Sequence, residues 1–345
     1  MEGIEKSMRN KEIAQILNIS PAAVSMALNH KGGVSKLTMK KILELKYAAP
    51  LQEQEAEAKK GSLLFSIHKK HGNVIGETYF FVTIMDAIQK QADKLGYYVN
   101  MVHYEPSVHV DEFMRNVDME QMKGILLLAT EMGGEDLADY QKWNKPLVVL
   151  DSWFGGKKLD CILMDNVDGI IQAVGYAYRN GHRKIGFVKS KTRMNNFTER
   201  FEGYKRGLHK AGLPYQPKYV YETQCTTDGA CQDMRRLLKE ERDWPSLLIV
   251  SNDVMAIGIM NAFKEAGYQV GRDISIIGFD NMPIDKYLDP PLTSINIQNE
   301  RIGQLAVNRL VDMIEKGETD YFLHNLVGVN LVERKSVCNL EVPQI

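Results

Sequence analysis

The sequence predicts an all-α helix-turn-helix head followed by an α/β body made of two open parallel-sheet lobes. Three observations point there. Positive charge is concentrated near the N-terminus. Two short helical patterns in the same stretch are separated by a turn of about three residues. Beyond residue 62, short apolar runs alternate with amphipathic stretches, and the alternation occurs in two blocks. At 345 residues the chain is too long for one ordinary domain. The boundaries read as 1–48 for the head, 49–61 for a linker and 62–340 for the body.

The charge is uneven. The whole chain is at −1, yet residues 1–50 carry eight basic side chains (Lys6, Arg9, Lys11, Lys31, Lys36, Lys40, Lys41, Lys46) against four acidic ones (Glu2, Glu5, Glu12, Glu44). A basic head suits phosphates, and the acidic remainder does not. Within the head, Asn10 can cap a helix over residues 10–17, with Ile13, Ala14 and Leu17 on one face. Asn18 tolerates the left-handed backbone of a tight turn. Ser20-Pro21 restarts a helix, a Ser cap followed by Pro at the first helical position. Val24, Ala27 and Leu28 face inward. A third helix is predicted from about Ser35 or Lys36 to Leu45, with Val34, Ile42, Leu43 and Leu45 closing a small core. A purely structural three-helix bundle would share these features.

In the body, residues 63–67, 97–102, 124–128 and 147–150 read as buried strands, and residues 80–95, 110–121 and 137–143 as helices. The second block has strands at 185–188, 219–221, 247–250 and 274–278, and helices at 197–211, 228–239 and 253–266. Open parallel sheets take ligands at the carboxyl ends of their strands. Two of them side by side face those ends across a cleft.

Several function classes find no support. The first residues have no apolar core for a signal peptide, and no apolar run approaches a membrane span, so a cytoplasmic location is expected. Cys161, Cys225, Cys231 and Cys338 form no CxxC pair and are expected as reduced, buried thiols. There is no GxGxxG after a strand, no Walker loop, no nucleophile elbow and no HExxH, so neither an enzyme nor a cofactor is expected. The histidines have no metal-ligand spacing. His68 and His71 flank Lys69-Lys70 in a loop that is either solvated or an anion site, with Tyr79-Phe80-Phe81 beyond it as apolar walls.

Ile13-Ala14, Ile19-Ser20-Pro21, Val24-Ser25, Ala27-Leu28-Asn29, Val34-Ser35 and Thr38 resemble the head of the LacI family of transcription regulators, whose pattern runs VA, VSxxTVS, LN, VSxxT. The body resembles that family too, at residues 181–186 (GHRKIG), 200–204 (RFEGY), 251–258 (SNDVMAIG), 274–280 (ISIIGFD) and 290–295 (PPLTSI). The resemblance covers almost the whole chain. It implies a periplasmic-binding-protein type I body whose chain crosses between lobes more than once. Lobe 1 is then about 62–164 and 297–325, and lobe 2 about 165–292 and 326–340. It implies no enzyme but a homodimeric repressor reading near-palindromic operator DNA under control of a small effector, most readily a sugar. A purine or other non-sugar effector, or a solute receptor without a DNA role, are the alternatives.

The resemblance puts the helix starting at Ser20 in the DNA major groove. The expected DNA contacts are Ser20, Pro21, Ala22, Ala23, Ser25, Met26, Asn29, Lys31, Lys36 and Thr38. Met26 stands where the family often has Arg, the usual reader of guanine, and can offer only apolar contact. The linker carries Glu53, Glu55 and Glu57 where the family has Arg and an apolar wedge, so carboxylates would face phosphates and a DNA kink is not expected. For the effector, the motifs imply Arg200, Asn252 and Asp280, whose donors and acceptors fit a polyol. A structural Arg200–Asp280 ion pair is the plainer reading. Phe81, Asp151, Trp153 and Asp165 are added as cleft residues at element ends. Trp153 could stack on a sugar or purine, or serve ordinary packing. The short tail after Arg334 has Pro343 and no heptads, which favours a dimer over a tetramer.

Overall fold

The computed structural model describes residues 10–17, 19–28, 38, 41–42, 59–70, 80–104, 117–240, 243–317 and 320–340. The chain divides into two compact units, residues 1–59 and 60–345.

In the first unit, helix α1 (Asn10–Ile16) and helix α2 (Pro21–Leu28) form the helix-turn-helix pair. The Leu17 amide still bonds the Ile13 carbonyl, and the Ile19 amide reaches back to Ala14, which closes the turn. Ser20 caps α2 by accepting from the Ala23 amide at 3.1 Å. Ile13, Ala14, Val24 and Ile42 are buried together, with Leu17 and Ile19 against them. Of the expected third helix, Thr38, Lys41 and Ile42 are described and are helical. The expected acidic linker, up to residue 58, lies outside the described residues.

The second unit holds two six-stranded sheets. Lobe 1 contains β1 (Gly61–His68), α3 (Phe80–Lys94), β2 (Tyr97–Tyr104), β3 (Met122–Leu128), α4 (Leu137–Gln141), β4 (Leu147–Leu150) and β5 (Asp160–Met164). The chain then crosses to lobe 2, which contains α5 (Asn166–Arg179), β6 (Ile185–Ser190), α6 (Asn195–Lys210), β7 (Val220–Thr223), α7 (Thr227–Leu238), β8 (Leu247–Val250), α8 (Asp253–Glu265), β9 (Ser275–Asp280) and β10 (Thr293–Asn296). It returns to lobe 1 for α9 (Asn299–Lys316) and β11 (His324–Val327), and ends in lobe 2 with β12 (Asn330–Val332). The strand orders are β11-β5-β4-β3-β1-β2 and β12-β10-β9-β8-β6-β7. Every pairing is parallel except β10 with β12.

Both faces of each sheet are covered, which is why the strands read as continuous apolar runs. In lobe 1, Leu63, Phe65, Leu126, Val148 and Ile162 pack with Ile84 and Ile88 of α3 and Ile302, Ala306 and Leu310 of α9. On the other face, Leu64, Ile125, Leu127 and Val149 meet Leu137, Tyr140 and Trp143. Lobe 2 repeats the plan. Phe187, Ile249 and Ile277 pack with α5 and α6, while Val188, Leu248 and Ile276 pack with Met234, Met255 and Phe263.

Three expectations change. Leu326 and Val327, expected in lobe 2, pair with Leu163 and Met164 of lobe 1. Residues 117–121, expected as the end of a helix, form a turn closed by amides of Met119 and Gln121; residues 110–116 lie outside the described residues. The unit boundary falls at residue 60 rather than 62. Among the described residues, no helix is long and apolar enough to cross a membrane, and no cluster of His, Cys, Asp and Glu could hold a metal. The four cysteines are buried and form no disulfide.

Candidate functional site

The carboxyl ends of β4, β6, β8 and β9 meet where the lobes face each other. Asp151 follows β4 directly and Asp280 ends β9, and both sit at positive φ (67° and 115°). Strain of this kind in non-glycine residues gathers at functional sites. Arg200 projects from the second turn of α6, and Asn252 caps α8 by accepting from the Met255 amide at 3.0 Å. With Phe81, Thr130 and Phe197 these residues line one cavity between the lobes. Its volume is about 30 Å³, far below the roughly 300 Å³ at which ligand sites begin. A ligand of that size would fit here only with the lobes further apart.

Arg200 is 3% exposed, and each of its three guanidinium nitrogens has a hydrogen-bond partner. Its Nε donates to Asn166 Oδ1 at 2.9 Å, Nη1 to the Ser251 carbonyl at 2.6 Å and Nη2 to Asp280 Oδ1 at 3.3 Å. The guanidinium lies 3.7 Å over the centre of the Phe279 ring. Across the cavity, Thr130 donates to Asp151 Oδ2 at 2.5 Å, while Asp151 Oδ1 has no hydrogen bond. Burial pushes Asp280 up to about 7 against the pull of Arg200, and the Asp151 charge adds to the rise. Burial likewise pushes Asp151 up to about 6, opposed by the Thr130 hydrogen bond.

Beneath the site, Asp253 accepts from Ser294 Oγ (2.7 and 2.9 Å) and from the Met282 amide (3.1 Å). Burial, then the neighbouring Asp285 carboxyl, raises its pKa well above the usual range.

Of the seven expected effector residues, the structure gathers five around this cavity: Phe81, Asp151, Arg200, Asn252 and Asp280. Trp153 and Asp165 are elsewhere. They line a separate cavity of about 460 Å³ with Glu199, Arg206, His324 and Leu326. The reason is geometric. Asp165 turns to cap α5, accepting from the Asp168 amide at 2.9 Å, and Trp153 lies two residues past the cavity, its indole directed to Glu199. Thr130, Asn166 and Phe197 were not expected. Phe197 was visible only as the start of an amphipathic stretch, and nothing in the sequence marks Thr130.

The His68 loop is not an anion site at its described end. His68 is fully buried against Tyr140, and burial pushes its pKa below 6.5. Lys70 is held by Glu135 and Asp136, each at 3.1 Å. His71 lies outside the described residues.

In the head, Pro21 is exposed and Ala23 and Ser25 half-exposed on α2, while Thr38 is half-buried. Ala22 and Met26 are placed on α2 by backbone only. Asn29, Lys31 and Lys36 lie outside the described residues.

Residues 174–337 match the family model of the periplasmic binding protein-like domain. The chain is 27% identical over 336 residues to the HTH-type transcriptional repressor PurR of Actinobacillus pleuropneumoniae serotype 3 (strain JL03), spanning 96% of this chain and 98% of that one. It is similar in structure to a transcriptional regulator CelR–cellobiose complex, with a TM-score of 0.72 at 21% identity over 95% of this chain and 99% of the other. It is also similar to the lac repressor dimer bound to operator and the anti-inducer ONPF, with a TM-score of 0.69 at 24% identity over 96% and 100%. Two of these three proteins are named as repressors and the third as a transcriptional regulator.

Proposed function

We propose that this chain is a LacI-type transcriptional repressor, a reading supported by its similarity to PurR over 96% of its length, and that an uncharged sugar or sugar derivative, held between the lobes, sets its affinity for operator DNA. The observation that carries the reading is the charge and hydrogen-bonding balance of the cavity. Two carboxyl groups, Asp151 and Asp280, face one guanidinium, Arg200. A phosphorylated ligand would meet net repulsion there. Hydroxyl groups donate and accept, as do these side chains together. Carboxyls whose pKa lies at about 6 and 7 are part-protonated near neutrality and can do both. A regulator of the same fold is solved with cellobiose.

The protein acts in this reading as a cytoplasmic homodimer with two heads on a near-palindromic operator. Helix α2 reads the major groove through Pro21, Ala22, Ser25 and Met26, with fewer charged base contacts than an Arg at position 26 would give. Effector binding shifts the balance between open and closed lobes. The change in operator affinity equals the effector's preference for one state over the other. A purine base is the second reading, favoured by the phenyl rings of Phe81 and Phe197 in the same cavity.

A thermal-shift screen against sugars, sugar phosphates and nucleobases tests this. A neutral sugar is expected to stabilise the protein, and Asp280→Ala or Arg200→Ala to weaken that compound about 100-fold or more. Stabilisation by a nucleobase alone would favour the second reading. A compound that binds equally well to both variants would remove the cavity assignment.

A further inference from the structure

We propose that Glu199 is a positioning residue that ties Arg200 of the effector cavity to closure of the lobes. The inference rests on the cavity reading above, and adds to it a residue outside the cavity lining. Glu199 precedes Arg200 on α6, and its two carboxylate oxygens serve opposite lobes. Oε1 accepts from the indole Nε1 of Trp153, in lobe 1, at 2.7 Å. Oε2 accepts from Asn166 Nδ2, at the start of lobe 2, at 2.8 Å. Asn166 in turn presents Oδ1 to Arg200 Nε at 2.9 Å and donates its remaining hydrogen to Asn196 Oδ1 at 3.0 Å. The chain of contacts therefore runs from lobe 1, through Glu199 and Asn166, to the guanidinium in the cavity.

The residue type is dictated by the count of acceptors. Trp153 and Asn166 both donate, so the position between them needs an acceptor on each side. A carboxylate offers two; Gln would place an NH₂ group against one of the donors. Asn166 cannot turn its amide over to relieve that clash, because Arg200 needs its oxygen and Asn196 its hydrogen. A second bond set runs alongside. Asn195 Nδ2 donates to Ser152 Oγ at 2.6 Å and to the Trp153 carbonyl at 3.1 Å.

Ser152 and Trp153 immediately follow Asp151, which lies in the cavity with its backbone at φ 67°. A molecule that engages Asp151 and Arg200 therefore acts on both ends of one hydrogen-bonded clasp. The clasp also accounts for the small cavity: the lobes are bonded to each other just outside it.

The clasp can be read without any effector. Trp153 is 42% exposed, whereas Trp143 is buried and Trp244 half-buried. Acrylamide quenching of tryptophan emission in the full-length protein then reports mainly on Trp153. Glu199→Gln is expected to raise the quenching constant about twofold, and to have no such effect in a Trp153→Phe background. Calorimetry with cellobiose and with adenine adds the second arm. For whichever of the two binds the unaltered protein, Glu199→Gln and Trp153→Phe should each change affinity about tenfold, and the double variant no further.

Unchanged quenching in Glu199→Gln overturns the clasp, whether or not either compound binds. Raised quenching with unaltered affinity overturns the tie to Arg200. Binding that survives Asp280→Ala would instead refute the cavity reading, leaving the quenching result to judge the clasp alone.

Discussion

The two lobes are built to one plan, six strands in the same order with helices on both faces, yet their rims at the cleft differ. The lobe 2 rim is a continuous polar lattice. Arg200 is fixed by Asn166, Ser251 and Asp280, Asp253 by Ser294 and Met282, and Asn281 by Arg334 Nη2 at 2.6 Å. The lobe 1 rim at the same cavity has Phe81, Thr130 and Asp151, and one oxygen of Asp151 is unbonded. Equal folds therefore do not imply equal preparation. The polar groups that lobe 2 turns to the cavity are held by one another, and those of lobe 1 are less fully bonded. Preorganisation on one side lowers the ordering cost of binding, while looseness on the other leaves room for motion.

The largest expected effect comes from crowding each lobe by one methyl. Gly278 lies directly against the Asp253 carboxylate, so Gly278→Ala would drive a side chain into the lattice. It should cost roughly 3 kcal/mol or prevent folding. Gly124 of lobe 1 would bring its methyl to 2.7 Å from Leu310 Cδ1, the end of a flexible side chain that can shift. Gly124→Ala should cost about 1 kcal/mol. Urea unfolding of both variants measures the gap, and equal losses would break the contrast between a rigid and a yielding lobe.

Next in size is a pH effect placed in lobe 2. Asp280 has its pKa raised from 3.8 to about 7, so the folded state holds a proton that the unfolded chain releases. Such a group stabilises at low pH, and that stability is lost as pH rises toward the folded value. The buried His68 and His182 have lowered values and act oppositely, destabilising as pH falls below 6.5. The carboxyl effect is therefore cleanest from pH 6.5 to 7.5, where stability should fall by roughly half to one kcal/mol. Melting temperatures across this window would follow it, and Asp280→Asn should flatten the curve. A curve unchanged by that substitution would remove Asp280 as the source.

The smallest effect belongs to lobe 1. Thr130→Val deletes the short hydrogen bond from Thr130 to Asp151 and keeps the shape. It should weaken an effector found in the screen by about tenfold or less, well below the loss from Asp280→Ala. A loss as large would mean that lobe 1 is prepared as thoroughly as lobe 2.

Much of this was legible in the sequence, for reasons that also mark its limits. Residues 147–150 and 247–250 are buried on both faces, so their apolar runs coincide with β4 and β8. Strand β5 was not predicted, although it is as buried, because Asp160 and Asp165 bracket a short run and α5 follows at once. That junction is a lobe crossing, and nothing local announces one. The site divided along similar lines. Arg200, Asn252 and Asp280 sit in motifs with strong local patterns and do meet. Trp153 and Asp165 were placed by nearness to strand ends alone, and a displacement of one or two residues took them to the next cavity. Asn166 and Glu199 carry no local signal, because their roles depend on partners 30 or more residues away.

The three lobe crossings bear on how the protein is made. Lobe 1 needs α9 and β11, which are synthesised only after strands β6 to β10 of lobe 2. Until they arrive, the faces of α3 and β3 that α9 covers, including Ile84, Ile88 and Leu126, have no partner. A growing chain that has already finished β9 still carries an open, oily N-terminal half. Pairings between residues so far apart form slowly, and half-made sheets invite aggregation. Synthesis of this protein should therefore lean on chaperones that shield nascent chains, and neither lobe should be obtainable by cutting the gene at a single point.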